Sequence, residues 1–279
     1  MLSIIVTWRD RAELSRALPG LMECANALDG DLTIVNYSGS SSMLQSQIGD
    51  HWKRVHVIEV AGQKYFHKAC AQNIGVANTS SELLFFCDAD IILDPLTLTR
   101  LTEQVLEKPD TFGTLTGVRE TENNARGGNN VVCFGYELQV RIANGRILKI
   151  VDHEEDAEDG TRNAPGLILV RRKHFLEIQG YNSDLHGWGW EDQDMIGRLT
   201  LGAGLRRVMS GYAVHISHED SLRIANYPVS NRWESRDKMF RQALANYDRN
   251  YFLGTYSSDV RQIPVRRVAG GIARNTAAT

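Results

Sequence analysis

The sequence predicts an α/β fold, with a mainly parallel central sheet and helices on both faces. Three observations lead there. Short runs rich in β-branched and aromatic residues alternate with helix-spaced segments from the N-terminus to residue 108, the pattern of a sheet built from crossover units. Several of those runs are apolar at consecutive positions, as strands covered on both faces are. No internal repeat and no linker divides the 279 residues. A single domain over 1–252 is therefore expected. The extension 253–279 loses periodicity, and roughly its last ten residues are expected to be disordered.

The elements follow in order. "LSIIVTW" (2–8) reads as a buried strand. In "DRAELSRALPGLMECANAL" (10–28), Leu14, Leu18, Leu21, Ala25 and Leu28 recur at helical spacing. Asp10 is the expected N-cap, and Pro19 should kink or divide the helix. "DLTIVNYS" (31–38) is a second strand, running into the turn-rich "SGSSS", and "RVHVIEV" (54–60) is a third. "FHKACAQNIGVANT" (66–79) has helical character. "ELLFFCDADIIL" (82–93) is a fourth strand, apolar until it meets two aspartates, and "PLTLTRLTEQVLEK" (95–108) is a helix with Pro95 in its first turn.

Beyond that point the pattern is less regular. "RETENNARGGNN" (119–130) is polar and reads as a mobile loop. "VVCFGYELQVRI" and "GRILKIVD" read as a hairpin through Asn144-Gly145. "DHEEDAEDG" (152–160) is an acidic excursion, read as solvated rather than metal-binding. "PGLILVRRKHFLEIQGY" (165–181) returns to a strand and a short helix. "EDQDMIGRLTLGAG" (191–204) has helical spacing, with Met195, Ile196 and Leu199 facing inward.

Composition narrows the function classes. The formal net charge is −3, so no broad basic field for nucleic acid is expected. Cys24, Cys70, Cys87 and Cys133 form no CxxC pair and read as buried free thiols in a reducing compartment. "MLSIIVTWRD" lacks the charged start of a signal peptide, and no apolar stretch approaches the ~20 residues of a membrane span. The expected location is cytoplasmic, with peripheral association at the inner membrane left open.

In parallel sheets ligands bind beyond the carboxyl ends of the strands. Thr7 to Arg11, Asn36 to Ser40 and Asp88 to Asp90 should therefore converge on one cleft. Asp88-Ala89-Asp90 projects two carboxylates from a strand end, where a cation or hydrogen-bond donors must offset their repulsion. Hard oxygen ligands suit Mg²⁺ or Mn²⁺; simple capping is the plain alternative. In "GYAVHISHED" (211–220), His215 and His218 lie three apart. They are either one core and one exposed histidine or, with Asp90, a mixed carboxylate–imidazole site favouring a transition ion such as Mn²⁺.

"LHGWGWEDQD" (185–194) carries two tryptophans, two glycines and three carboxylates. Gly187 and Gly189 allow close backbone approach. Trp188 and Trp190 offer flat apolar faces of the kind that stack on sugar rings. Asp192 could act as a general base, or cap the helix that follows.

These segments, in this order, resemble a GT-A-fold glycosyltransferase. "PGLILVRRKHFLEIQGYNSDLHGWGWEDQDMIGRL" with "HISHED" after it is most similar to the β-1,4-galactosyltransferase and bacterial chondroitin-polymerase group, family-2-like and family-7-like. The resemblance spans about residues 2 to 220 and implies a UDP-sugar donor, a glycan or glycoconjugate acceptor, and Mn²⁺ with Mg²⁺ as the alternative. It implies Asp90 and His218 as metal ligands, with His215 where animal galactosyltransferases have a methionine ligand. It places Asp88, and Ala89 beside it, at the nucleotide ribose. Asp192 becomes the general base, with Glu191 contacting donor or acceptor. Thr7, Trp8, Arg9, Arg11 and Ser38 line the nucleotide pocket, and Lys68 and Asn73 close over uridine and diphosphate. Two departures stand out. Asn36 replaces a uracil-binding aspartate, and Trp190 replaces a glycine.

The mechanism implied is inverting transfer, with loops 119–130 and 152–164 as candidate lids. No stem or anchor is expected, which argues against a Golgi-type enzyme. A retaining hexosaminyltransferase is the rival on the same fold, but its W-G-G-E segment places Asn after the Glu. A nucleotidyltransferase should show glycines after the first strand, which "TWRDRAEL" lacks. A non-catalytic carbohydrate-binding relative would not need Asp90, His218 and Asp192 together.

Overall fold

The computed structural model describes residues 1–122, 135–153, 156 and 158–269. The first half alternates strand and helix as expected: β1 Leu2–Trp8, α1 Leu14–Ala27, β2 Asp31–Tyr37, α2 Ser41–Ile48, β3 His56–Val60, α3 Lys68–Ala77, β4 Leu83–Asp88, β5 Ile91–Ile92 and α4 Pro95–Glu107. Then come β6 Thr111–Thr114, β7 Gly117–Glu120, β8 Gly135–Arg141, β9 Ile147–His153, β10 Thr161–Arg162, β11 Ile168–Arg171, α5 Arg172–Glu177 and α6 Glu191–Leu201. The chain continues through β12 Arg206–Met209, β13 Tyr212–His215, α7 Asp220–Ile224, α8 Arg232–Asp248, α9 Tyr256–Gln262 and β14 Arg266–Ala269.

Eight strands form the main sheet in the order β12-β6-β11-β4-β1-β2-β3-β14. The run β4-β1-β2-β3 is parallel, while β11 and β14 run antiparallel to their neighbours. Strand periodicity divides the core. Ile4, Val6 and Trp8 of β1 and Phe85 and Cys87 of β4 pack with α1 and α4. Ile5, Leu84 and Phe86 face the opposite side, against residues of α3, α5, α6 and α8. Met195, Ile196 and Leu199 of α6 are buried there, as their spacing requires. A second sheet, β10-β7-β13-β5, carries part of the functional site. The expected hairpin forms as β8–β9, with Gly145 at φ 85° in its turn.

Several local expectations are corrected. Asp10 does not cap α1, whose N-cap is Glu13 with no side-chain cap bond. Instead Asp10 adopts φ 52° and its carboxylate accepts from the Ser40 amide at 2.7 Å, tying the end of β1 to the end of β2. Pro19 does not divide α1, which runs continuously from Leu14 to Ala27. Pro19 is exposed, and water can satisfy the carbonyl it leaves unpaired. The "SGSSS" turn goes straight into α2, because the Ser40 hydroxyl accepts from Met43 N and caps the helix.

Within 253–279, α9 forms and β14 adds to the sheet edge beside β3; residues 270–279 lie outside the described residues. Of the 119–130 segment, Arg119 and Glu120 end β7 and 123–130 lie outside the described residues. Of 152–164, residues 152–153 end β9 and 161–162 form β10, while 154, 155 and 157 lie outside. Cys24, Cys70 and Cys87 are buried free thiols; Cys133 lies outside the described residues. No described helix is long and apolar enough to cross a membrane.

Candidate functional site

The parallel register aligns Thr7 with Asp88, and Trp8 with Asn36, so β1, β2 and β4 end together. Past Asp88 the chain turns through Ala89-Asp90 into β5. Strand β13 runs antiparallel to β5 with His215 opposite Ile91, and Ile216 N donates to the Asp90 carbonyl at 2.8 Å. The small sheet thus brings "DAD" and "HISH" together.

Candidate ligand atoms of Asp90, His215 and His218 lie within 4.8 Å of one another. The Asp90 Oδ2 is 3.5 Å from His215 Nε2, 3.3 Å from His218 Nε2 and 2.9 Å from Arg11 Nη2. Burial opposes a charge on Asp90, but the two imidazoles and Arg11 outweigh it and hold the carboxyl well below its usual range. Both imidazoles are engaged on their far side. His215 Nδ1 lies 2.7 Å from Glu120 Oε2, and His218 Nδ1 lies 3.2 Å from the Glu219 carbonyl. If each Nδ1 carries the donated proton, both Nε2 lone pairs face one carboxylate oxygen. That arrangement calls for a cation or additional protons. Burial lowers the pKa of His215, but Asp90 and Glu120 raise it more, for a net upward shift. One carboxylate and two imidazoles also fit a divalent transition ion such as Mn²⁺.

A second group forms where α3 and α6 begin. Lys68 Nζ lies 2.7 Å from Asp88 Oδ1 and 2.8 Å from Asp192 Oδ2. Burial alone would strip the Lys68 proton, but Asp192 and Asp88 hold it firmly. Gly166 lies against this bridge. A Cβ there would sit 2.8 Å from Asp192 Oδ2 and 3.1 Å from Lys68 Nζ. The other oxygen, Asp192 Oδ1, is buried without a hydrogen-bond partner. Burial raises the Asp192 pKa, Lys68 counters it, Asp88 adds to it and the nearby Gln72 side chain lowers it slightly without a well-aligned hydrogen bond to Oδ1, for a net upward shift. Glu191 is 6% exposed; its Oε2 accepts from Gly189 N, and burial with Asp192 beside it pushes its pKa up to about 7.

The remaining expected site residues divide. Arg11 reaches Asp90, and Thr7, Asp88 and Ala89 lie at the same sheet edge. Arg9 is spent on the carbonyls of Gln63 and Lys64. Trp8 is fully buried and its indole N–H donates to the Arg11 carbonyl, which makes it a core residue that shapes the edge from within. The Asn36 amide is occupied by Gly39, and Ser38 bonds Val60 O and Gln63 N. Asn73 is not brought to the site. It is fully buried and tied to Tyr181 and Asp259. Trp190 is not an open wall either, since it is 2% exposed and packs edge-on to Phe240 of α8. Trp188 is half-buried, with Arg232 over its ring.

Glu120 was hidden in the polar 119–130 segment. It is 7% exposed, accepts from Arg162 Nε at 2.6 Å and Ser217 Oγ at 2.8 Å, and lies opposite His215 in the β7–β13 register. The only sequence signal is a four-residue strand, too short to stand out. Helix α7 and the segment after it pack onto Arg11 and Phe66 at the rim of the site. Phe66 N donates to Asn226 O at 2.7 Å, Arg11 donates to Leu222 O, and the Tyr227 ring meets Phe66 edge-on.

A mixed, mainly parallel sheet with these groups at the carboxyl ends of its strands is the architecture of a GT-A glycosyltransferase. The chain belongs to the glycosyltransferase-like family 2, which matches residues 29–247. It is 23% identical over 260 residues to N-acetylgalactosaminyltransferase 6 of Drosophila melanogaster, covering 88% of this chain but 37% of that protein. The chain thus spans well under half the length of that relative. Solved structures share the fold at low identity. GalNAc-T7 with UDP, GalNAc and Mn²⁺ superposes with a TM-score of 0.57 at 11% identity, covering 94% of this chain and 56% of that one. The mannosyltransferase PcManGT from Pyrobaculum calidifontis, with GDP-Man and Mn²⁺, gives 0.56 at 16%, covering 93% and 67%. TarS of S. aureus with UDP-GlcNAc gives 0.54 at 14%, covering 93% and 70%.

Proposed function

We propose that this glycosyltransferase moves a hexose or N-acetylhexosamine from a UDP-sugar to an acceptor hydroxyl, with inversion and with Mn²⁺ bound by Asp90, His215 and His218. The observation that carries the reading is Asp192: half-buried at the head of α6, anchored through Oδ2 by Lys68, and with an enclosed Oδ1 that has no hydrogen-bond partner. That is what a general base requires before its substrate arrives. Oδ1 takes the acceptor proton as the hydroxyl oxygen attacks the anomeric carbon opposite the leaving nucleotide. Lys68 holds the carboxylate in place and ties it to Asp88, proposed to contact the ribose. Glu191 contacts the sugar, and Arg11 lies beside the diphosphate. When bound, the metal supplies positive charge that stabilises the departing diphosphate. Segments over the site exclude water, which would otherwise compete as acceptor. The related GalNAc-transferases support a hexosamine donor and keep a retaining reading in play, in which Asp192 takes no proton. A cytoplasmic location and a glycan or glycoconjugate acceptor complete the proposal.

Asp192→Asn keeps the shape but cannot take a proton. Donor turnover, read as UDP release from UDP-GalNAc, UDP-Gal, UDP-GlcNAc and UDP-Glc with Mn²⁺, should fall roughly 10²–10⁴-fold. The thermal shift given by UDP and Mn²⁺ should persist. Near-normal turnover in the variant would reject the base assignment and leave Asp192 as a structural partner of Lys68, since α6 is capped by Trp190 and Asp192 makes no cap bond.

A further inference from the structure

The sugar-stacking role expected of Trp190 is closed off by its burial. Beside it the surface offers other rings. Trp233, at the start of α8, is 44% exposed, and Tyr136 of β8 is 39% exposed. Two guanidinium groups join them to Trp188. Arg232 Cζ lies 5.7 Å from the Trp188 ring and 4.4 Å from the Trp233 ring. Arg236 Cζ lies 5.6 Å from the Trp233 ring and 5.3 Å from the Tyr136 ring. Ring and guanidinium therefore alternate from the G-W-G-W loop, across the start of α8, to the β8–β9 hairpin.

Packing of α8 does not rest on the exposed rings. Its buried stripe is Ser235, Met239, Ala243 and Tyr247. The Ser235 hydroxyl accepts from Trp188 N at 2.8 Å and donates to Trp188 O at 3.1 Å, fixing the loop that leads into Asp192. Arg236 is fixed in turn by Asp152 and by the Tyr136 hydroxyl. Two cations are thus held beside aromatic rings that are partly exposed.

We propose that Trp188, Trp233 and Tyr136 form a platform for the acceptor, and that the acceptor is a glycan chain several sugars long. Flat, partly exposed rings in a row complement the apolar C–H faces of successive pyranoses. The platform is continuous with the candidate site through Trp188, four residues before Asp192. The proposal rests on the transferase reading for its place in the reaction. Its binding claim is measured separately from turnover.

The test uses the full chain and three tetrasaccharide probes: chitotetraose, cellotetraose and a chondroitin tetrasaccharide. Saturation-transfer NMR and tryptophan fluorescence report binding, with the matching monosaccharides as controls. At least one tetrasaccharide should bind, and Trp233→Ala and Tyr136→Ala should each weaken it about tenfold, the scale of one lost aromatic contact. Tyr136→Phe keeps the ring and should retain binding. Monosaccharide binding, UDP release from the donor with Mn²⁺ and the melting temperature should stay near those of the parent chain. Absence of donor turnover in the parent chain alongside intact tetrasaccharide binding would count against the transferase reading and leave the platform standing. Tetrasaccharide binding unchanged in Trp233→Ala, no binding of any probe, or ring-dependent binding of a Ser/Thr peptide in place of the glycans would overturn the platform.

Discussion

At the residue scale, the cluster is governed by the conflict between burial and charge. Lys68 is shared between Asp88 and Asp192, so Glu191 remains the carboxyl least supported by a cation. Its hydrogen bond from Gly189 N and the more distant pull of Lys68 do not offset burial and the Asp192 charge. A carboxyl whose folded pKa, about 7, exceeds its usual 4.5 holds its proton to a higher pH folded than unfolded. Stability should then fall as pH rises from 4.5 through 7. Glu191→Gln keeps the acceptor for Gly189 N and cannot ionise. At pH 8, without added metal, it should be more stable than the parent by on the order of 2–3 kcal/mol, and the difference should vanish by pH 4. Thermal unfolding across that pH range checks this; a variant less stable at pH 8 would show that the Glu191 charge is already compensated.

At the element scale, the carboxylate–imidazole cluster is built by strand register, which explains what the sequence displayed and what it hid. Asp90, His215 and His218 were legible because each ends or follows a strand-like run in the sequence. Glu120 was not, because a polar neighbourhood and a short strand masked it, and only the pairing of β7 with β13 places it against His215. The same limit applies to Asn73 and Trp190. The resemblance placed Asn73 at the site and a flat ring suggested Trp190, but their partners Asp259 and Phe240 lie far along the chain. The edge strand β14 showed no apolar pattern because it joins the sheet through its backbone at the rim. Outer partners that orient metal-binding histidines typically cost 10–100-fold in affinity when changed. Glu120→Gln should therefore weaken Mn²⁺ binding, measured by calorimetry or electron paramagnetic resonance, by about 10–100-fold. A Kd within twofold of the parent would leave Glu120 a purely structural partner of Arg162.

At the scale of the whole molecule, two sheets divide the work. The main sheet aligns the ends of β1, β2 and β4, where Arg11 and Asp88 wait. The small sheet closes the carboxylate–imidazole cluster, and α6 with α8 sets Asp192 and the aromatic surface on the other side. The alternating pattern made the main sheet readable from sequence. The second sheet, made of strands of two to four residues drawn from across the chain, emerges only in three dimensions. The central claim is metal-dependent, inverting transfer from a UDP-sugar, and water can stand in for the acceptor. Time-resolved proton NMR of UDP-α-GalNAc hydrolysis by the full chain with Mn²⁺ reads metal dependence and stereochemistry together. The account predicts β-GalNAc as the first anomer released and no release in excess EDTA. First release of the α anomer, or equal turnover in EDTA, would contradict it.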